Sequence, residues 1–181
     1  MKPRLKEKYE KEIVPKMMGD FKLKNRMAVP RLEKISINVG TGRLAQKDAK
    51  LVEQVAENIS MITGQKPATR HAKKAIAGFK LRAGMPVGLM VTLRGRRMYE
   101  FLDRLVNVAL PRVRDFRGLD QNSFDKGGNY SIGLAEHIVF PETRQESLEA
   151  THGLQINIKL KNSNKEMGYA LLKYLGFPFK T

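Results

Sequence analysis

Three stretches of this chain alternate apolar and polar residues with a period of two, and the polar side of each lacks a carboxylate. In the first, Ile35, Ile37 and Val39 share one side, while Lys34, Ser36 and Asn38 share the other. In the second, Val87, Leu89, Val91 and Leu93 oppose Gly88, Met90, Thr92 and Arg94. In the third, Leu154, Ile156, Ile158 and Leu160 oppose Gln155, Asn157 and Lys159. Successive side chains of a strand point to opposite faces, so each stretch predicts a half-buried strand. A sheet assembled from them has one face to bury and one to leave open.

Helical spacing fills the gaps between these strands. Leu5, Tyr9, Ile13 and Met17 recur every four residues, with Pro3 suited to the first turn, Gly19 to the end, and Pro15 expected to kink or shorten the helix. Asp48 precedes Leu51, Val52, Val55, Ile59 and Ile62, and Gly64 terminates that run. Met98, Phe101, Leu102, Leu105, Val108 and Ala109 form a third helix closed by Pro111. Ser163 and Glu166 read as a capping box ahead of Met167, Ala170, Leu171 and Tyr174, with Gly176 as the stop. Gln65 to Arg70, interrupted by Pro67, reads as a brief edge strand at best, and His71 to Met85 as a loop or long hairpin. Residues 111–135 show no sustained period, and a short helical patch is expected at Glu146 to Ala150.

Strand, helix, short strand, strand, helix, strand is the order of the split βαβ arrangement. The predicted class is therefore α+β: a two-layer, ferredoxin-like, antiparallel-rich sheet with helices on one face. We expect a single domain over residues 1–181, with an N-terminal helix and linker (1–28), a basic loop (71–85) and a long insertion (111–152).

Charge says what such a surface could meet. Among 181 residues, 34 Lys and Arg stand against 18 Asp and Glu, a net charge of +16. The surplus is localised: residues 1–34 hold eleven basic and five acidic residues, and residues 58–99 hold nine basic residues and no acid. A generic surface intersperses the signs, so a polyanion is the expected partner. In the N-terminal patch Glu7, Glu10 and Glu12 interleave with Lys6, Lys8 and Lys11, which fits either a solvated helix face or a contact surface. The absence of Cys removes disulfide scaffolds, thiolate zinc sites and thiol nucleophiles, and His71, His137 and His152 lack metal-ligand spacing. No apolar run approaches the ~18–20 residues that cross a bilayer. The N-terminus has no signal-peptide core. The expectation is a cytoplasmic protein with no cofactor and no membrane partner.

Two enzymatic readings are available. Gly40-Thr41-Gly42 with Ala45 matches a G-x-G-x-x-A turn, whose glycines let a backbone approach a pyrophosphate. The segment that follows is polar, however, and no acidic residue for a ribose occurs between Glu57 and Glu100, so a plain strand-to-helix turn suffices. Ser131, His137 and Glu142 could compose a hydrolytic triple, although His137 reads better as a surface or satisfied polar residue.

The open sheet face lacks the aromatic residues on which RNA-recognition domains stack bases. Its Asn, Gln, Thr, Ser, Lys and Arg suit phosphates, 2′-hydroxyls and base edges of structured RNA, with a plain solvated face as the alternative. The densest cationic stretch, Gly64 to Gly88, carries Lys66, Arg70, Lys73, Lys74, Lys80 and Arg82, with Ile76, Phe79 and Leu81 interleaved. Those apolar residues either fold the loop against the body or touch a nucleotide.

The run GQKPATRHAKKAIAGFKLRAGMPVGLMVTLRG, with VPRLEKISINVGTG before it and FLDRLVNVALPRVRDFRGLDQNSFDKGGNYSIGLAEHIVFPE after it, closely resembles bacterial-type large-subunit ribosomal protein five, the 5S rRNA-binding family. The closing LLKYLGFPF fits as well. The resemblance implies a non-enzymatic protein that helps attach 5S rRNA to large-subunit rRNA in the central protuberance. It implies rRNA-facing roles for Asn38, Gln65 and Thr92, with Lys34 and Arg94 beside them; the face reading adds Ser36, and Lys66 adjoins. It also implies that the 71–85 loop reaches peptidyl-site tRNA, for which Arg70, Lys73, Lys74, Phe79, Lys80 and Arg82 are the candidates. A contact with small-subunit ribosomal protein thirteen would fall after Pro111 and near Pro141 to Gly153. NIKLKNSNKEM is more basic and polar than the resemblance leads one to expect, so no contacts are carried over there, and His71 stands where a small or basic residue is expected.

Overall fold

A computed structural model of the chain describes residues 2–143 and 151–180, with the backbone alone at Ala49. Five strands, β1 (Arg31–Gly40), β2 (Ala68–His71), β3 (Pro86–Leu93), β4 (Tyr130–Leu134) and β5 (Leu154–Lys161), form one sheet in the order β2-β3-β1-β5-β4. The helices are α1 (Arg4–Lys8), α2 (Val14–Asp20), α3 (Gly42–Lys47), α4 (Ala49–Thr63), α5 (Gly95–Arg104) and α6 (Lys165–Tyr174). Without β4 the order is β2-β3-β1-β5, the split βαβ arrangement in which β1 lies between the third and last strands. The fold is α+β and ferredoxin-like, with β4 added outside β5.

That fifth strand corrects the reading of residues 111–135 as lacking a period. Tyr130, Ile132 and Leu134 are buried while Ser131 and Gly133 are exposed. Three apolar residues among so many turn formers are too short a signal to outweigh the turn chemistry. Asn129 anchors the strand's start: its Oδ1 accepts from Leu160 N–H at 2.9 Å, while its own N–H and Nδ2 donate to Asp125 at 2.8 and 2.7 Å. These bonds help hold the Asp125 carboxyl below its ordinary pKa, against the opposing effect of desolvation. The helical patch expected at Glu146 to Ala150 lies outside the described residues.

The chain divides into two compact units, one of residues 1–35, 93–132 and 157–181, the other of residues 36–92 and 133–156. In the first, α1 and α2 are joined without interruption by a π-helical turn at Tyr9–Ile13. Pro15 explains it. A proline ring collides with the carbonyl four residues earlier and offers no N–H, and a wider turn, in which Val14 N–H bonds to Tyr9 O, relieves the collision without breaking the helix. The same device recurs at Leu105–Ala109, two residues ahead of Pro111. Helices α1 and α5 pack together, and Arg4 pairs with Asp103 at 2.7 Å. The Tyr9 hydroxyl donates to Pro30 O at 2.8 Å, and burial pushes the Tyr99 hydroxyl up to about 12.

The C-terminal helix starts one residue later than the capping box implied. Asn164, not Ser163, is the N-cap, accepting from Met167 N–H at 2.8 Å, while the Ser163 hydroxyl bonds to Asn164 O. At the other end Phe177 N–H reaches Leu172 O and Gly176 N–H reaches Lys173 O, a Schellman closure for which Gly176 supplies a φ of 100°. The chain then returns to pair Leu119 with Phe179, whose ring joins Phe124, Tyr130 and Tyr169. At Gly168 a Cβ would lie 2.5 Å from Gly128 O, so α6 and the turn before β4 touch backbone to backbone.

In the second unit, α4 is capped by Asp48, whose Oδ1 accepts from Lys50 N–H at 2.9 Å, and ends at Gly64 with φ 67°. Val52, Val55, Ile59 and Ile62 are buried, as are Ile37, Val39, Leu89 and Val91 of the strands. Strand β2 pairs antiparallel with β3 and is exposed throughout. His137 is a satisfied polar residue, and a buried one: it stacks on His152 at 4.1 Å and 7°, with Nδ1 accepting from His152 N–H at 3.4 Å.

Two outcomes follow from this packing. Gly168→Ala should cost about 1–3 kcal/mol in urea unfolding, because backbone atoms must move to admit the methyl group. Gly19→Ala, in the last turn of α2 with nothing within 4 Å of its Cβ, should be neutral or stabilising. Burial holds the His137 pKa below its usual 6.5, so its neutral form favours the fold above that value and the contribution is lost as pH falls through the folded value. The drop in melting temperature from about pH 7 to about pH 5 should be smaller in His137→Gln than in the native chain.

Candidate nucleic-acid interface

The period-two rule delivers the expected polar face. Ser36, Asn38 and Thr92 are partly exposed and Gln155 is exposed, opposite the buried Ile37, Val39, Val91 and Ile156. Five of the expected rRNA-facing residues, Ser36, Asn38, Gln65, Lys66 and Thr92, belong to the second unit, whereas Lys34 and Arg94 belong to the first. Gln65 sits between α4 and β2, and its Nε2 donates to Thr92 O at 3.5 Å. The Thr63 hydroxyl buttresses it, donating to Ile59 O and accepting from Gln65 N–H at 3.2 Å. Arg94 lies one residue past β3, at the N-cap of α5, rather than on the strand.

Asn38, Arg70 and Gln155 line a depression of about 470 Å³ floored by Val39, Val87, Gly88 and Leu89. Gly88 keeps this floor low, since a Cβ there would stand 3.1 Å from Val39 O. Arg70, which the sequence places at the end of the brief edge strand and the resemblance puts among the tRNA-contact candidates, is part of the sheet. It lies on β2 opposite Gly88, and its guanidinium donates to Met90 Sδ at 3.2 Å. His71 is likewise the last residue of β2, so the loop begins at Ala72. On the first unit's share of the face a carboxylate does intrude: Glu33 pairs with Lys159 at 3.4 Å, beside a Ser131–Asn157 hydrogen bond of 2.9 Å. The face is acid-free only toward Asn38.

The loop is a hairpin extension. Ala72 and Gly84–Met85 exchange main-chain bonds at its base, and Ile76 and Leu81 exchange them near its tip, around a 3-10 turn at Ala77–Phe79. Lys80 follows with φ 51°. The tip is tied down from outside by Gln46 of α3, whose Nε2 donates to Phe79 O at 2.7 Å. Gly42, Arg43 and Gln46 face Gly78–Leu81 across a hollow of about 470 Å³. Phe79 and Ile76 remain 68% and 48% exposed, so the loop is anchored by backbone and not by burying its apolar side chains. Lys66, Lys73, Lys74, Lys80 and Arg82 are exposed and no carboxylate pairs with them among the described residues. Gln46 had no sequence signal, because an isolated polar residue in a six-residue helix carries no period.

The enzymatic readings find no support in this geometry. The Gly40–Gly42 turn is closed by a hydrogen bond from Thr41 N–H to Val87 O at 3.0 Å, and Thr41 is fully buried. The Ser131 hydroxyl is bonded to Asn157 and the His137 ring to His152. Among the described residues no group of His, Asp and Glu could hold a metal ion, and no helix is long and apolar enough to cross a membrane.

A ferredoxin-like sheet with an open polar face and a cationic hairpin that no carboxylate pairs with among the described residues has the surface of a polyanion-binding protein. Comparison with known proteins narrows that class. Residues 25–82 match the family model described as ribosomal protein L5, and residues 86–179 match the model described as the ribosomal L5P family C-terminus. The chain is 55% identical over 180 residues to the large ribosomal subunit protein uL5 of Chloroflexus aurantiacus, covering 99% of both chains. It is 54% identical over 175 residues to that of Halothermothrix orenii, covering 97% of both, and 51% identical over 181 residues to that of Trichodesmium erythraeum, covering 100% of this chain and 99% of that one. The chain belongs to the ribosomal protein L5 family. Proteins of this family are structural, non-enzymatic constituents of the large subunit of cytoplasmic ribosomes.

Removing the outside tie should loosen the hairpin selectively. In Gln46→Ala, amide exchange at Ile76 to Leu81 should accelerate while exchange in α4 stays at its native rate; unchanged protection at the tip would show the main-chain bonds suffice.

Proposed function

We propose that this chain, as a structural rRNA-binding component of the large ribosomal subunit, attaches 5S rRNA through the second unit's share of the sheet face. The carrying observation is the gathering of Ser36, Asn38, Gln65 and Thr92 in one unit, without a carboxylate on that stretch of the face. Amide and hydroxyl groups at fixed positions read 2′-hydroxyls and base edges, while Lys66 neutralises phosphate within the same unit; Lys34 and Arg94, on the first unit, add phosphate contacts of their own. A preformed sheet surface makes these contacts with little ordering cost.

The Ala72–Met85 hairpin serves a different RNA, the peptidyl-site tRNA. Lys73, Lys74, Lys80 and Arg82 meet phosphates there, and the exposed Phe79 ring lies against a sugar or base. Both readings draw support from the family resemblance and from the absence of paired acids on the hairpin. A bridge to small-subunit ribosomal protein thirteen is proposed for the region after Pro111 and for Pro141 to Gly153, part of which lies outside the described residues.

The division of labour is testable with the intact chain. Asn38→Ala with Thr92→Ala should weaken 5S rRNA binding about tenfold or more, from the loss of two hydrogen-bonding side chains. Lys73→Ala with Lys74→Ala should leave 5S binding nearly native and reduce tRNA retention on reconstituted ribosomes. Equal losses of 5S affinity in both variants would overturn the assignment, as would native affinity for 5S rRNA no better than for an unrelated RNA of equal length across a salt series.

A further inference from the structure

In the first unit, two segments 135 residues apart are tied together. Asn162, just beyond β5, donates from Nδ2 to Met27 O at 2.9 Å, while the Asn25 side chain accepts from Met27 N–H at 2.8 Å. Both backbone groups of Met27 are thus held by asparagine side chains. Asn162 adopts φ 57°, a left-handed conformation that asparagine tolerates better than most residues. The Met27 side chain is left 66% exposed, second only to Phe79 among the described large apolar residues.

Cations flank this knot on both segments. Lys24 and Arg26 lie on one, Lys161 and Lys165 on the other, all exposed, and no carboxylate pairs with them among the described residues. The acids close by in sequence are otherwise engaged or outnumbered: Glu33 pairs with Lys159, Asp20 accepts from the Tyr174 hydroxyl at 2.6 Å, and Glu166, in the first turn of α6, pairs with none of these four cations among the described residues. An immobilised backbone, a projecting thioether and four unpaired cations from two segments form a surface that neither segment makes alone.

We propose that this knot is a second RNA-contact surface, separate from the sheet face and the hairpin, that grips the sugar-phosphate backbone of a duplex segment of rRNA. Lys24, Arg26, Lys161 and Lys165 meet phosphates, and the Met27 side chain covers the sugar edge between them. It carries no base-reading group in a fixed pose, so it adds affinity without sequence preference. This surface gives Lys24 and Arg26 of the N-terminal patch and the basic β5–α6 turn a common role, as two halves of one site.

The test uses the full-length protein and an RNA duplex of about 20 base pairs unrelated to 5S rRNA, titrated across a salt series. The variant Lys24→Gln/Arg26→Gln/Lys161→Gln/Lys165→Gln should bind the duplex at least tenfold more weakly at low salt, with the slope of log K against log salt shallower by about 3. Asn162→Ala, which changes no charge, should weaken binding several-fold at unchanged slope, and Asn38→Ala with Thr92→Ala should bind this duplex as the native chain does. Native affinity and slope in the quadruple variant would overturn the proposal. So would a native response in Asn162→Ala, since that would leave scattered charge rather than a built surface. Competition by poly-glutamate as effective as by the duplex would assign the surface to an acidic protein partner instead of RNA.

Discussion

Burying Ile35, Ile37 and Val39 on one side of β1 commits Ser36 and Asn38 to the other, because a strand cannot turn one side chain without turning its neighbours. The same commitment runs through β3 and β5, and it makes the open face a by-product of core formation. Once the apolar sides are packed, the positions of Asn38, Thr92 and Gln155 follow. The protein therefore needs no rearrangement to present them, and what it offers RNA is a surface already paid for in folding. Around that surface the remaining elements do local work: Gln65 is braced by Thr63, Gly88 lowers the floor beside Asn38, and Arg70 is laid onto Met90 from the edge strand.

Much of this was legible in the residues. Period-two runs located β1, β3 and β5, and helical periods located the N-terminal helix, α4, α5 and α6, because each is long enough for the pattern to repeat; the six-residue α3 is not. The strand β4 escaped, with only Tyr130, Ile132 and Leu134 to announce it among glycines and asparagines. The cap of α6 moved by one residue since Ser163 and Asn164 can each accept from a helix N–H, and local geometry favoured the asparagine. The π-turns ahead of Pro15 and Pro111 were half legible: proline signalled a perturbation, while the continuity of the helix depended on burial of Ile13, Met17 and Ala109 around it.

The site was legible in kind and less so in its bounds. Charge and residue type singled out the sheet face and the loop, and the brief edge strand expected at Gln65 to Arg70 is present as β2, but it runs on to His71, because an exposed edge strand and a loop look alike in a polar sequence. Contacts between residues far apart in the chain left no trace at all. Gln46 reaching Phe79 and Asn162 reaching Met27 are hydrogen bonds from single polar side chains to backbone oxygens, and only the tertiary fold brings the partners together.

The two outer strands of the sheet have a consequence for the chain before it meets its nucleic acid. An edge strand is a template for another chain's backbone, and a protein waiting for a partner runs that risk at every encounter. Here one edge is β2, four residues long, with Arg70 on it and Pro67 just before it. The other is β4, five residues long, with Gly133 inside it and Gly128 just ahead. Neither edge gives an incoming strand more than a few residues of purchase, and β4, by covering the longer β5, leaves the unassembled protein little edge through which to polymerise.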